Sequence, residues 1–208
     1  MTKQKQKMHV VAVDMGYGHQ RAAYPFLDSA YTDVINANHY QGISKAEQNS
    51  WESGRKWYEI ISRFKGLPFV GEAAFAIMDH FQKIDPFYPK RDLSKPSQQL
   101  KYFQKQIKRG MGKDLIDDLN KRIPKGHKTP LPFLATFFVP AYFAEYYGYK
   151  GKIYCVVCDA DVARAWAPYY SKTSKIVYLA PNKRTKSRLQ LYGVKSSNIH
   201  VTGFPLPK

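Results

Sequence analysis

The run His9-Val10-Val11-Ala12-Val13-Asp14 passes through Met15-Gly16-Tyr17-Gly18 into the helix-compatible His19-Gln20-Arg21-Ala22-Ala23. This order reads as strand, glycine turn, helix. A second short strand fits Asp33–Asn38, and from Leu131 the alternation returns. Leu131–Phe137, Lys152–Cys158, Lys175–Ala180 and Ile199–Thr202 read as strands, and Tyr142–Tyr147 and Lys183–Leu191 as helices. Repeated β-α-β units joined by right-handed crossovers specify the α/β class, with a Rossmann-like parallel sheet.

Residues from about 44 to 125 carry helical patterning instead and form an insertion between the second and third strands. Trp57, Ile60, Ile61 and Phe64 recur at i, i+3, i+4 and i+7, with Gly66 and Pro68 ending that face. A further helix fits Glu72–Lys83. The connection Asp85-Pro86-Phe87-Tyr88-Pro89 leads to a third helix with the stripe Leu100, Phe103, Ile107 and Met111, whose middle Gly110 and Gly112 weaken. The 208 residues accommodate a basic tail over 1–8 and a single domain over 9–208.

With 44% hydrophobic and 24% charged residues, the chain has enough apolar side chain for a core. Its 33 Lys and Arg against 16 Asp and Glu give +17, a field that draws polyanions: nucleic acid, anionic lipid headgroups or phosphorylated ligands. Met1–Met8 carries Lys3, Lys5 and Lys7 but no apolar signal-peptide core, and no window reaches the ~18 apolar residues of a spanning helix. A cytoplasmic location is expected. Cys155 and Cys158 form a C-x-x-C within a β-type run, which turns the two side chains to opposite faces. Two thiols acting as small hydrophobes are expected, rather than a disulfide or a metal site.

A strand entering Gly16-x-Gly18 permits close backbone approach beside a helix N-terminus and favours an anionic group there. The dinucleotide fingerprint asks for a small residue three after the second glycine, where Arg21 stands. The full stretch Gly16-Tyr17-Gly18-His19-Gln20-Arg21-Ala22-Ala23 resembles the G-x-G-H-x-x-A-A opening of family 28 glycosyltransferases, which include the monogalactosyl- and glucosyl-diacylglycerol synthases. Val156-Val157-Cys158-Asp159, followed by Arg164 and Trp166, is similar to their V-V-T-D-F-x-x-H-R-x-W segment. The run Val177–Lys208, with Ala180-Pro181-Asn182 and Gly203-Phe204-Pro205, resembles the close of their N-terminal domain. Ala163 departs from the pattern, standing where those enzymes usually carry His, and the chain stops at Pro207-Lys208, where their nucleotide-sugar domain begins.

The resemblance implies the N-terminal, acceptor-binding half of a GT-B fold. Its partners would be a lipid acceptor and an anionic membrane surface, with a nucleotide sugar engaged only through a C-terminal domain or partner chain and no further cofactor. It puts Gly16, Tyr17, Gly18, His19 and Arg21 on the acceptor side of the cleft. His19, in the first turn of its helix, is disfavoured from protonation and can act as general base, or it makes only a helix-terminal hydrogen bond. Asp159, at a strand's C-terminal end, is the rival base or a helix cap. Arg164 contacts a phosphate or solvates a helix face, Trp166 is core or stacking platform, and Phe138, in a corner at a strand end, lines the groove.

Lys101, Lys105 and Lys108 lie beside the Leu100–Phe103–Ile107 stripe, either resting on an anionic membrane or forming an ordinary solvated face. A chain of this kind is expected on the inner membrane face as a peripheral protein, inactive without its nucleotide-sugar domain. Two other readings remain: a stand-alone glycolipid- or membrane-binding protein, and a basic nucleic-acid-binding module, which lacks any reader motif.

Overall fold

Strand-by-strand alternation of apolar side chains builds one sheet with a core on each face. The computed structural model describes residues 6–14, 17–64 and 83–206, leaving out the side chains of Tyr17 and of 55–64. The strands are β1 (His9–Ala12), β2 (Ile35–Asn36), β3 (Phe133–Ala135), β4 (Ile153–Val156), β5 (Val177–Ala180) and β6 (Ile199–Val201). They lie in the order β2-β1-β3-β4-β5-β6 and every neighbouring pair is parallel. This is the Rossmann-like α/β arrangement that the sequence predicts. The strands are shorter than their apolar runs because residues just beyond the ladder, Val13 and Val157, stay fully buried after the pairing has ended.

Val11, Phe133, Ala135, Cys155 and Tyr178 point into the larger core. Val10, Ala12, Leu134 and Val156 point into a smaller one with Ala23 and Ala30. The larger core is roofed by helices. Three of them, α2 (Lys45–Phe64), α3 (Gln98–Lys108) and α4 (Lys113–Lys121), come from the insertion, and α5 (Phe138–Tyr146) crosses from β3 to β4. A short α1 (Tyr17–Arg21) follows β1, and α6 (Lys183–Leu191) joins β5 to β6.

α2 begins well before the Trp57–Phe64 stripe because Ser44 caps it, its hydroxyl accepting the Glu47 N–H at 3.2 Å. The side chains of that stripe, and Gly66 and Pro68, lie outside the described residues. So does the helix expected over Glu72–Lys83, apart from Lys83.

α3 buries Leu100 and Ile107 and half-buries Phe103, as its stripe predicts. Gly110 does not weaken the middle of this helix but stops it. At φ 111° it lets its own N–H reach the Ile107 carbonyl (2.9 Å) and the Met111 N–H reach that of Gln106 (3.2 Å), the paired bonds of a left-handed helix end. The chain then restarts as α4 from Gly112, so the apolar residue Met111 belongs to the joint between two helices. α5 and α6 end on Gly148 and Gly193 by the same two bonds.

The Phe138-Val139-Pro140 stretch is not a corner at a strand end. It is the first turn of α5, where proline's missing N–H costs nothing because first-turn donors have no partner inside the helix. Phe138 is consequently core, packed against Phe103, Tyr142 and Trp166.

Two arginines tie the returning segment of the insertion to the sheet. Arg188, 1% exposed, grips Asp161 with Nε and Nη2 (both 3.0 Å) and donates Nη1 to the Asp85 carbonyl at 2.7 Å. Arg184 adds a third bond to Asp161, and Phe87 lies against both guanidinium groups. Asp161 is held below its ordinary 3.8: burial works against this, and the arginine hydrogen bonds outweigh it. Its contribution is therefore present at neutral pH and lost as acid carries the solution down through that depressed value.

Gly112 combines φ 80° with a position where a Cβ would collide with the Phe143 ring in the main core. Gly112→Ala is expected to cost roughly 2–4 kcal/mol, a left-handed backbone penalty plus overpacking, read as a lower urea midpoint at unchanged slope.

Candidate functional site

Each central strand ends in a polar residue at the same edge of the sheet: β1 runs to Asp14, β3 to Thr136 and β4 to Cys158-Asp159. Because β1 lies between β2 and β3, the connections leaving β1 and entering β3 run over opposite faces and open a crevice at that edge. Open α/β sheets bind ligands in such a crevice.

His19 sits in it. Its Nδ1 lies 3.2 Å from the Thr136 carbonyl and 3.3 Å from Cys158 Sγ, while Thr136 Oγ1 donates to the His19 carbonyl at 2.8 Å. A carbonyl can only accept, so the bond to Thr136 requires the proton on Nδ1 and leaves the Nε2 lone pair free. Phe137 packs on the imidazole at 4.5 Å between ring centroids, with Trp166 at 6.4 Å. Burial holds His19 below its ordinary 6.5, against the opposing pull of the Asp159 carboxylate and the Thr136 hydrogen bond. The direction matches the sequence expectation, with desolvation rather than the helix end as its main cause.

Asp159 is raised from its ordinary 3.8 by burial, while His19 and a hydrogen bond from the Trp166 side chain favour its charged form. The structure thus brings the two candidate bases within electrostatic reach of each other. Cys155 and Cys158 are both free, but they are not equivalent. Cys155 is core, whereas Cys158 flanks His19, with burial pushing its thiol up to about 12. It is therefore a protonated thiol at neutral pH.

The remaining sequence candidates divide. Gly16 and the Tyr17 side chain lie outside the described residues. Gly18 is helical, and nothing lies within 4 Å of where its Cβ would stand, so neither packing nor backbone geometry requires a glycine there. Arg21 is exposed at the end of α1, without a hydrogen bond or ion pair among the described residues. Trp166 is nearly buried and walls the crevice.

Arg164 does not solvate a helix face, and four of its five N–H donors are taken. It is buried and donates to the carbonyls of Ser94, Ala167 and Pro168. Phe138 is likewise internal, and the aromatic against His19 is its neighbour Phe137. Lys101, Lys105 and Lys108 project into solvent, but the apolar stripe beside them faces the core, leaving Tyr102 as the exposed aromatic among them.

Thr136, Phe137 and Cys158 are the site residues that the motif reading passed over. The signal was available in the first polar residues after each buried strand. A second recess lies beyond β1 and β2, a cavity of about 300 Å³ lined by Asp14, Asn36, Gln48, Trp51 and Glu52 among others. Among the described residues no group of three or more His, Cys, Asp or Glu side chains could hold a metal ion, and no helix is long and apolar enough to cross a membrane.

An NMR titration checks the electrostatics. His19 should protonate below its ordinary 6.5, and Asp159→Asn should lower that value further by removing the carboxylate that favours imidazolium. An unshifted His19, or an upward move in the variant, would contradict the geometry. Compared with protein-family models, with curated proteins and with solved structures, the chain finds no match.

Proposed function

We propose that this domain is the acceptor-binding half of an inverting sugar transferase, moving a sugar from a nucleotide-sugar donor to the hydroxyl of a diacylglycerol-like lipid. The observation that carries the reading is His19. It is a half-buried, neutral imidazole at the sheet's switch point, oriented by the Thr136 carbonyl and flanked by Asp159. A second α/β domain, in the same or a partner chain, supplies the nucleotide-sugar site.

In this mechanism Nε2 of His19 takes the acceptor hydroxyl proton as the oxygen attacks the anomeric carbon. The bond from that carbon to the nucleotide diphosphate breaks, and the leaving group departs with the electron pair, giving inversion. Asp159 stabilises the imidazolium that forms, and the open space above Gly18 admits the acceptor's polar end close to the backbone. The exposed Lys101, Lys105 and Lys108 add local attraction to an anionic membrane, within a chain of net charge +17.

The test uses the domain assembled with a nucleotide-sugar domain, assayed for transfer to diacylglycerol. His19→Ala should lower kcat by about 10²–10⁴-fold, and Gly18→Ala should weaken acceptor use while leaving the fold as stable or slightly more so. A His19→Ala enzyme within about threefold of the parent in kcat and acceptor KM would end the proposal. A larger rate loss in Asp159→Asn would move the base to Asp159.

Membrane attachment is read separately by vesicle flotation. Binding should require anionic lipid, fall steeply with salt because the screening length is ~8 Å at physiological strength, and drop when the three lysines are replaced by alanine. Equal recovery on neutral and anionic vesicles would remove the membrane from the proposal.

A further inference from the structure

The cavity beyond β1 and β2 adjoins the His19 crevice through one hydrogen bond: Gln20 Nε2 donates to Asp14 Oδ1 at 3.0 Å. Its floor is rigid. The Asn38 carboxamide bonds twice to the Asp14 backbone, accepting its N–H at 2.8 Å and donating to its carbonyl at 3.1 Å, while Asn36 Oδ1 accepts the Asn38 N–H. Other polar groups on the wall make no hydrogen bond among the described residues. These are the second oxygen of Asp14, Nδ2 of Asn36, the His39 imidazole, the Gln48 carboxamide and the Glu52 carboxylate. The indole of Trp51, nearly buried, closes the apolar side.

This wall offers acceptors and donors together, and it contains two carboxylates and one imidazole, His39, with neither Lys nor Arg, in a chain of net charge +17. A phosphate, which only accepts and is anionic, meets two carboxylates there and has His39 as its one basic neighbour on the wall. A simple cation would leave the carboxamide donors of Asn36 and Gln48 unused. Hydroxyl groups, each donor and acceptor at once, match the set, and the volume suits a small ligand.

We infer that this cavity binds a neutral polyhydroxylated group, a sugar ring, in the ground between β1, β2 and the first half of α2. Sugar binding follows from the cavity itself. Its assignment as the headgroup of the acceptor rests on the transferase reading, and means that the lipid receiving the new sugar already carries one. The headgroup lies beside Asp14, with the segment through Gln20 carrying His19 toward its free hydroxyl.

The binding test uses the chain alone, titrated with methyl β-glucoside, methyl β-galactoside and inorganic phosphate while the side-chain N–H resonances of Trp51, Asn36 and Gln48 are followed by NMR. A glycoside should shift all three, phosphate none. Glu52→Gln and Gln48→Ala, surface changes on α2, should each weaken binding about tenfold, the loss of one hydrogen bond in a polar site, with the fold checked by circular dichroism. No shift with either glycoside, or the same shifts with phosphate, overturns the inference. In the assembled transferase, a silent His19→Ala together with intact glycoside shifts defeats the transferase reading and leaves the sugar site standing. Conversely, His19-dependent transfer with no Trp51 shift and unchanged rates in Gln48→Ala defeats the sugar site alone.

Discussion

The reciprocal pair of hydrogen bonds between His19 and Thr136 is the constraint from which the rest of the crevice follows. One bond fixes the backbone of α1 to the end of β3, and the other fixes the imidazole's tautomer. Neither could form unless β3 lay beside β1, and that adjacency requires the chain to leave β1 toward β2 and return across the opposite face. A sheet in simple sequential order would separate His19 from both Thr136 and Asp159. The sheet's strand order therefore sets the chemistry available at its edge, and burial by Phe137 and Trp166 then sets the protonation state.

The insertion puts a second demand on the fold. Residues 83–97 bring the chain back over the sheet with little regular structure, so their backbone carbonyls need partners supplied from elsewhere. Arg188 serves Asp85 and Arg164 serves Ser94, while the Leu93 N–H donates to the Leu191 carbonyl at 2.9 Å. A buried arginine contributes here by making several carbonyl and carboxylate contacts at once, and removing one member of such a set typically costs ~3–5 kcal/mol. This explains why Arg164 and Arg188 are internal while most of the basic charge among the described residues stays outside.

The sequence disclosed the strands, because apolar runs bounded by glycine and polar residues leave little choice, whereas the division of their side chains between two cores needed the structure. It disclosed α6 to the residue, since Asn182 caps one end with a 2.8 Å bond to the Thr185 N–H and Gly193 closes the other. It misled where one local signal serves two structures. Gly110 looks like a weak helix interior and is a helix stop. Phe138-Val139-Pro140 looks like a strand corner and is a helix start. In the site, His19 and Asp159 were legible from their positions at strand and helix ends, but not their mutual approach, which needs the strand order. Arg164 was not legible at all, because its partners are backbone carbonyls that carry no mark in the sequence.

The sheet's borders are short. β2 has two residues, and β6 has three, two of which, His200 and Val201, face solvent. Neither border presents the long ladder of unpaired amides that recruits another chain's strand. A strand from another chain therefore has little to gain by continuing the pleat. Under the transferase reading, a nucleotide-sugar domain would therefore meet loops and helices rather than a sheet border, and docking beside His19 would also cover the crevice.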